Sequence, residues 1–182
     1  MLLEDILKHN DQFVENKTYQ LYTTDGVPNK HAVILTCMDT RLTELLPKAM
    51  NFKNGDVKIL KTAGAIIKHP YGSTMRSILV ATHALQANEV YVVGHHDCGM
   101  SKLDSNHLVE QMKQNGIKQT DFDRLEINPH EWFKGFEQIE ESVKSSVDLI
   151  SNHPLLPTHV PVHGLVIDPE TGKLDLVING YN

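Results

Sequence analysis

Glu89-Val90-Tyr91-Val92-Val93-Gly94-His95-His96-Asp97-Cys98-Gly99 starts as β-branched and aromatic residues and ends, past one glycine, in imidazole, carboxylate and thiol. A short apolar run of this composition, closed by glycine, reads as a buried strand. Its chemistry is concentrated just beyond its carboxyl end. The same construction occurs earlier in the chain. His31-Ala32-Val33-Ile34-Leu35-Thr36 reads as a strand and runs into Cys37-Met38-Asp39-Thr40-Arg41.

The segments between and after these runs alternate in kind. Leu42 to Met50 carries Leu42, Leu45, Leu46 and Met50 on one side, as a short helix does. Asp56-Val57-Lys58-Ile59-Leu60 alternates polar and apolar, as a strand does. Ser73 is placed to cap a helix through Gln86, with Met75, Ile78, Leu79 and Leu85 facing inward. A short helix is expected around Leu108–Gln114, stopped by Gly116. Asn128-Pro129 pairs a cap residue with proline at the first helical position. From there Trp132, Phe136, Ile139, Val143, Val147 and Ile150 recur four, three, four, four and three residues apart. That spacing predicts one long amphipathic helix reaching about Asn152, its stripe turned to the core. Val162–Ile167 and Leu174–Ile178, joined across Asp168-Pro169-Glu170-Thr171-Gly172, read as an antiparallel hairpin.

Strand and helix in alternation imply an α/β fold with a mostly parallel central sheet flanked by helices. The expected strand order is 2-1-3-4 with an antiparallel C-terminal edge strand. In such sheets ligands sit beyond the carboxyl ends of the strands, where the strand order reverses. With this order the reversal lies between strands one and three. Cys37 and the His95–Cys98 pair then share one location. The expectation is a single domain over residues 1–182, with an N-terminal helical arm over about 1–27. In that arm Leu3, Ile6, Leu7, Phe13 and Val14 line one side of a helix and offer a face to a neighbouring subunit.

The 182 residues are 40% hydrophobic and 22% charged, with a formal net charge of −6. Nucleic-acid binding is excluded as a starting point, because phosphate neutralisation needs clustered Lys and Arg. No apolar run approaches the ~20 residues of a membrane-spanning helix, and the N-terminus lacks the pattern of a secretory signal. A cytoplasmic, reduced protein without membrane partners is expected, since a domain of this size rarely needs a disulfide.

Cys37 and Cys98 are the only cysteines. Two thiolates and one imidazole, Cys37, His95 and Cys98, make the three-ligand set of a catalytic zinc site with one open position. The alternative is a pair of inert buried thiols, which does not account for both ending strands beside acidic and imidazole groups. Asp39 and Arg41 have two readings. They form a charge-assisted pair beside the metal, or Asp39 leaves Arg41 and becomes a fourth ligand that closes the site. Asp97 supports a ligand or caps its loop. His96 and His69 are the nearest candidates for moving a proton. His153, His159 and His163 show no ligand spacing and read as incidental.

Cys37-x-Asp39-x-Arg41 followed by Gly94-His95-x-x-Cys98-Gly99 resembles the signature of the β-class carbonic anhydrases. The likeness extends to Ala63-Gly64 and to the C-terminal hairpin, over roughly residues 30–180. Thr62 stands where members of that family commonly carry asparagine. The resemblance implies a single zinc held by Cys37, His95 and Cys98, an Asp39–Arg41 catalytic dyad, and assembly as a homodimer or larger even oligomer. The implied reaction is reversible hydration of carbon dioxide to bicarbonate by a zinc-bound hydroxide. Gly99, directly after a ligand, lets the backbone approach that small substrate. The same chemistry would serve hydrolysis of carbonyl sulfide or carbon disulfide. A zinc- or thiol-based redox sensor without enzymatic activity is the remaining alternative.

Overall fold

The computed structural model describes residues 1–181. Its centre is a five-stranded sheet of β1 (Ala32–Cys37), β2 (Val57–Thr62), β3 (Glu89–His95), β4 (Val162–Ile167) and β5 (Leu174–Ile178). Their spatial order is β2-β1-β3-β4-β5. β1 pairs in parallel with both β2 and β3, β3 pairs in parallel with β4, and β5 is antiparallel to β4. The order, the direction and the antiparallel edge are those expected from the sequence.

Side-chain alternation splits the core into two layers, because successive residues of a strand face opposite sides. Val33 and Leu35 of β1 and Val90 and Val92 of β3 meet helices α3 (Ser73–Ala84) and α7 (Ile139–Ser151), through Met75, Ile78, Val143, Val147 and Ile150. Ile34 of β1 and Val93 of β3 face the other way, onto Leu42 and Leu46 of α2 (Leu42–Ala49). Both cysteines belong to this second layer. Ile34 is fully buried. Ile34→Ala is expected to cost about 2–5 kcal/mol of stability, lost transfer energy and cavity together; urea denaturation of the two proteins measures it.

Elsewhere the structure amends the sequence reading. Gly72, not Ser73, occupies the cap position of α3, and no side chain caps that end. The helix expected at Leu108–Gln114 starts earlier, as α4 (Ser105–Gln114), because the Asp104 carboxylate accepts the Asn106 and His107 amides. A short helix α5 (Gln119–Phe122) follows. Asn128 caps the next helix as expected, accepting the His130 amide, but the long helix is broken. α6 (Pro129–Phe133) ends at Lys134 and α7 starts only at Ile139. Trp132 is 56% exposed and so not part of the core stripe.

Two of the histidines read as incidental to metal binding have structural partners. His163 is buried, donates from Nε2 to Glu89 Oε1 at 3.1 Å, and accepts the Gly180 amide at Nδ1. His153 is buried and accepts the Leu155 amide. Both do structural work at the ends of strands and helices. Helix α1 (Leu2–Glu15) has no buried residue, and its Leu3, Ile6, Leu7 and Val14 are exposed. Among the described residues no helix is long and apolar enough to cross a membrane.

Candidate metal centre

Cys37 is the last residue of β1 and His95 the last of β3, so adjacent parallel strands deliver them side by side. Cys98 follows through a tight loop in which Asp97 takes a left-handed φ of 53°. That conformation is uncommon outside glycine, although aspartate is among the residues that tolerate it. Ser101 closes the loop, its hydroxyl donating to the Cys98 carbonyl at 2.8 Å.

Cys37, His95 and Cys98 are all buried, and their ligand atoms lie within 4.8 Å of one another. It is the one such cluster among the described residues. The two Sγ atoms are 3.9 Å apart. Two sulfurs on a tetrahedral zinc would stand about 3.8 Å apart at the usual Zn–S length of ~2.3 Å. His95 Nδ1 donates to the His96 carbonyl at 2.8 Å, which leaves Nε2 as the nitrogen available to a metal. Nε2 is buried and has no hydrogen-bond partner. A buried acceptor without a partner is costly. A cation between it and the two sulfurs removes that cost, so the donor set fits a metal.

The surroundings favour a negative charge on Cys37. The Cys37 thiol is held well below its ordinary range. The Cys98 thiol donating to it is the main cause and outweighs burial, with further help from His95 and the Asp39 and Gly64 amides. The Gly64 amide reaches Cys37 Sγ at 3.3 Å. Gly64 has φ 74°, a conformation open to glycine at no cost. Cys98, sharing its proton with Cys37, is pushed up in return.

Asp39 stands beside the trio, its Oδ2 3.8 Å from His95 Nε2. Arg41 grips it as a fork: Nε donates to Oδ1 at 3.1 Å and Nη2 to Oδ2 at 2.8 Å, and the Arg41 amide also donates to Oδ1. These bonds, Arg41's side chain foremost, lower the Asp39 pKa to about 2. Of the two readings of this residue, the paired one is the arrangement seen. Asp97 supports neither ligand directly. Its carbonyl accepts from Arg41 Nη2 at 3.3 Å, and its carboxylate pairs with Lys102.

Gly99 is exposed, and a side chain built on it would meet nothing within 4 Å. His96 and His69 are both exposed; the His69 Nδ1 accepts the Tyr71 amide. Thr62 lies next to Cys37 in register, and its hydroxyl donates to the Ile66 carbonyl at 3.4 Å. The sequence reading missed Met100 and Phe136, which pack against the buried layer that holds both cysteines. Nothing in their type or spacing marks them.

Comparison with known proteins agrees with this geometry. The carbonic anhydrase family profile matches residues 32–174. YtiB of Bacillus subtilis, itself only provisionally named a carbonic anhydrase, is 56% identical over all of this chain and 98% of its own. The crystal structure of β-carbonic anhydrase isoform I from Trichomonas vaginalis superposes with a TM-score of 0.91 and 34% identity, covering 100% of both chains. A carbon disulfide hydrolase from Acidithiobacillus thiooxidans is 27% identical over 89% of this chain and 85% of its own. The chain belongs to the carbonic anhydrase family of enzymes, in its β class.

Proposed function

We propose that the protein hydrates carbon dioxide reversibly to bicarbonate at a single zinc held by Cys37, His95 and Cys98. The observation that carries this reading is the unpartnered, buried Nε2 of His95 facing two sulfurs at tetrahedral spacing, with an Arg-held carboxylate beside them. Zinc, when bound, acts as a Lewis acid that makes water a usable nucleophile near neutral pH.

The chain's own residues then divide the work. Asp39, ionised throughout the neutral range, is an acceptor only. It takes a hydrogen bond from the attacking water and so turns an oxygen lone pair toward the carbon. Arg41 keeps Asp39 in that role by occupying both carboxylate oxygens. As the new C–O bond forms, one C=O π pair moves onto oxygen, and the water's proton leaves for solvent. Gly99, exposed and without a side chain next to Cys98, lets the linear, three-atom substrate approach, and its amide receives the bicarbonate oxygen. His96, exposed next to His95, carries that proton on its way to solvent.

Two features extend the reading. The exposed apolar face of α1 is consistent with assembly around a second copy. The cytoplasm is the proposed compartment, since a domain of this size rarely needs a disulfide. The likeness to a carbon disulfide hydrolase keeps a second substrate in view at the same centre. Stopped-flow indicator assays with carbon dioxide, and hydrogen sulfide release from carbon disulfide, separate the two. Proton release from carbon dioxide with no sulfide is the expected result; sulfide production with inert carbon dioxide would overturn the proposal in favour of its alternative.

A further inference from the structure

The interruption between α6 and α7 falls where the apolar spacing runs on, and its residues, with Ile139 at the start of α7, lie against Met100, Gly64 and Gly94, each next to or bonded to a metal ligand. Gly135 lies against the Met100 backbone so closely that a methyl group built on it would land on the Met100 carbonyl oxygen. Met100 is two residues past Cys98. Phe136 closes over Gly64, its ring Cε1 3.0 Å from where a Cβ on Gly64 would stand, and Met100 Cγ stands equally near. Gly64 supplies the amide that donates to Cys37 Sγ. Ile139, the first residue of α7, closes over Gly94, its Cδ1 2.6 Å from a Cβ built there. Gly94 immediately precedes His95. The Lys68 ammonium donates to the Lys134 carbonyl at 2.6 Å, tying the interruption to the chain that leaves Gly64.

A continuous helix would carry residue 135 as one more turn and could not press its backbone onto Met100. Stopping the helix therefore lets one short stretch bear on all three ligand segments. Gly135, a poor helix former, permits the stop although the apolar spacing runs through it, and the stop adjoins the metal centre. We infer that Gly135, Phe136 and Ile139 are positioning residues: a brace that holds the Cys37, His95 and Cys98 segments in register for the metal. The inference rests on the zinc centre proposed above. The brace touches no reacting atom and acts through Met100, Gly64 and Gly94. Partners lying behind metal ligands typically contribute ~10–100-fold to metal affinity or activity.

The test uses the full chain loaded with zinc or with cobalt(II). Zinc transfer to a chromophoric chelator is timed for the wild type, Gly135→Ala, Phe136→Ala, Phe136→Leu and Glu137→Gln. Glu137 lies in the same stretch and is exposed. Release is expected to quicken by about 10–100-fold in Gly135→Ala and Phe136→Ala, with a shifted cobalt–thiolate charge-transfer band. Phe136→Leu keeps an apolar contact on Gly64 and should recover most of the loss. Glu137→Gln should match the wild type. Thermal unfolding of the metal-free variants shows whether each is folded, and if Gly135→Ala is not, Phe136→Ala alone decides. Folded variants with wild-type release and an unmoved cobalt band would overturn the brace, whatever happens to their melting temperatures. A wild-type chain that takes up neither metal would overturn the zinc centre instead.

Discussion

Cys98→Ala is expected to remove zinc and carbon dioxide hydration together. Cys98 supplies one of two thiolates in a three-ligand set, and no other cysteine exists to replace it. With two protein ligands left, the site falls below the three that catalytic zinc centres keep. Without the metal, water keeps a pKa near ~15.7 and is a poor nucleophile at neutrality. Zinc content measured by plasma emission should drop from one per chain to near background. Hydration followed by stopped flow should fall by at least about a thousandfold, the scale on which removing a Lewis acid is felt. The fold should survive, because Cys98 adds one small side chain to a layer that also holds Ile34, Leu42, Leu46, Val93 and Ile167. Circular dichroism checks this. A folded, zinc-free Cys98→Ala enzyme that still hydrates carbon dioxide would contradict the assignment.

Arg41→Ala is the second large effect. Arg41 donates to both oxygens of Asp39. Removing the fork frees a carboxylate whose Oδ2 already lies 3.8 Å from His95 Nε2, next to the position a fourth ligand would take. A loss of about 10–100-fold in kcat is expected at neutral pH, with zinc content unchanged. Arg41→Lys should not restore it, since an ammonium cannot bind both oxygens as a planar fork. The same variant changes acid stability. Pairing lowers Asp39 from its ordinary 3.8 to about 2 in the folded chain. A carboxylate depressed in this way stabilises the fold at pH values above 3.8 and loses that contribution as pH falls through about 2. The difference in unfolding free energy between wild type and Arg41→Ala should therefore shrink as pH drops from 4 to 2. A constant difference across that window would mean that the pair contributes nothing by charge.

What the sequence disclosed, and what it hid, follows from the range of the forces involved. Strand runs such as Val90–Val93 and the cap at Asn128 rest on neighbouring residues, and they could be read directly. The trio of Cys37, His95 and Cys98 was legible because strand order alone brings the ends of β1 and β3 together. The break at Lys134–Gln138 was not. The apolar spacing from Trp132 to Ile150 runs through it undisturbed, while the close approach of Gly135 to Met100 depends on chain 35 residues away. Trp132 misled for the same reason, since its spacing fits a buried stripe on a helix that does not continue. His163 was set aside because its partners, Glu89 and Gly180, lie on other strands and at the chain's end. Asp39 carried two readings in the sequence. Its pairing with Arg41 rests on a guanidinium fork that composition does not show.

The most direct test is carbon dioxide hydration measured against zinc occupancy. The protein is stripped with a chelator, reloaded with known amounts of zinc, and assayed by stopped flow at each step. A rate that rises in proportion to zinc and levels off at one zinc per chain is the predicted result. A rate that ignores zinc, or stays at background with the site fully loaded, would contradict the account.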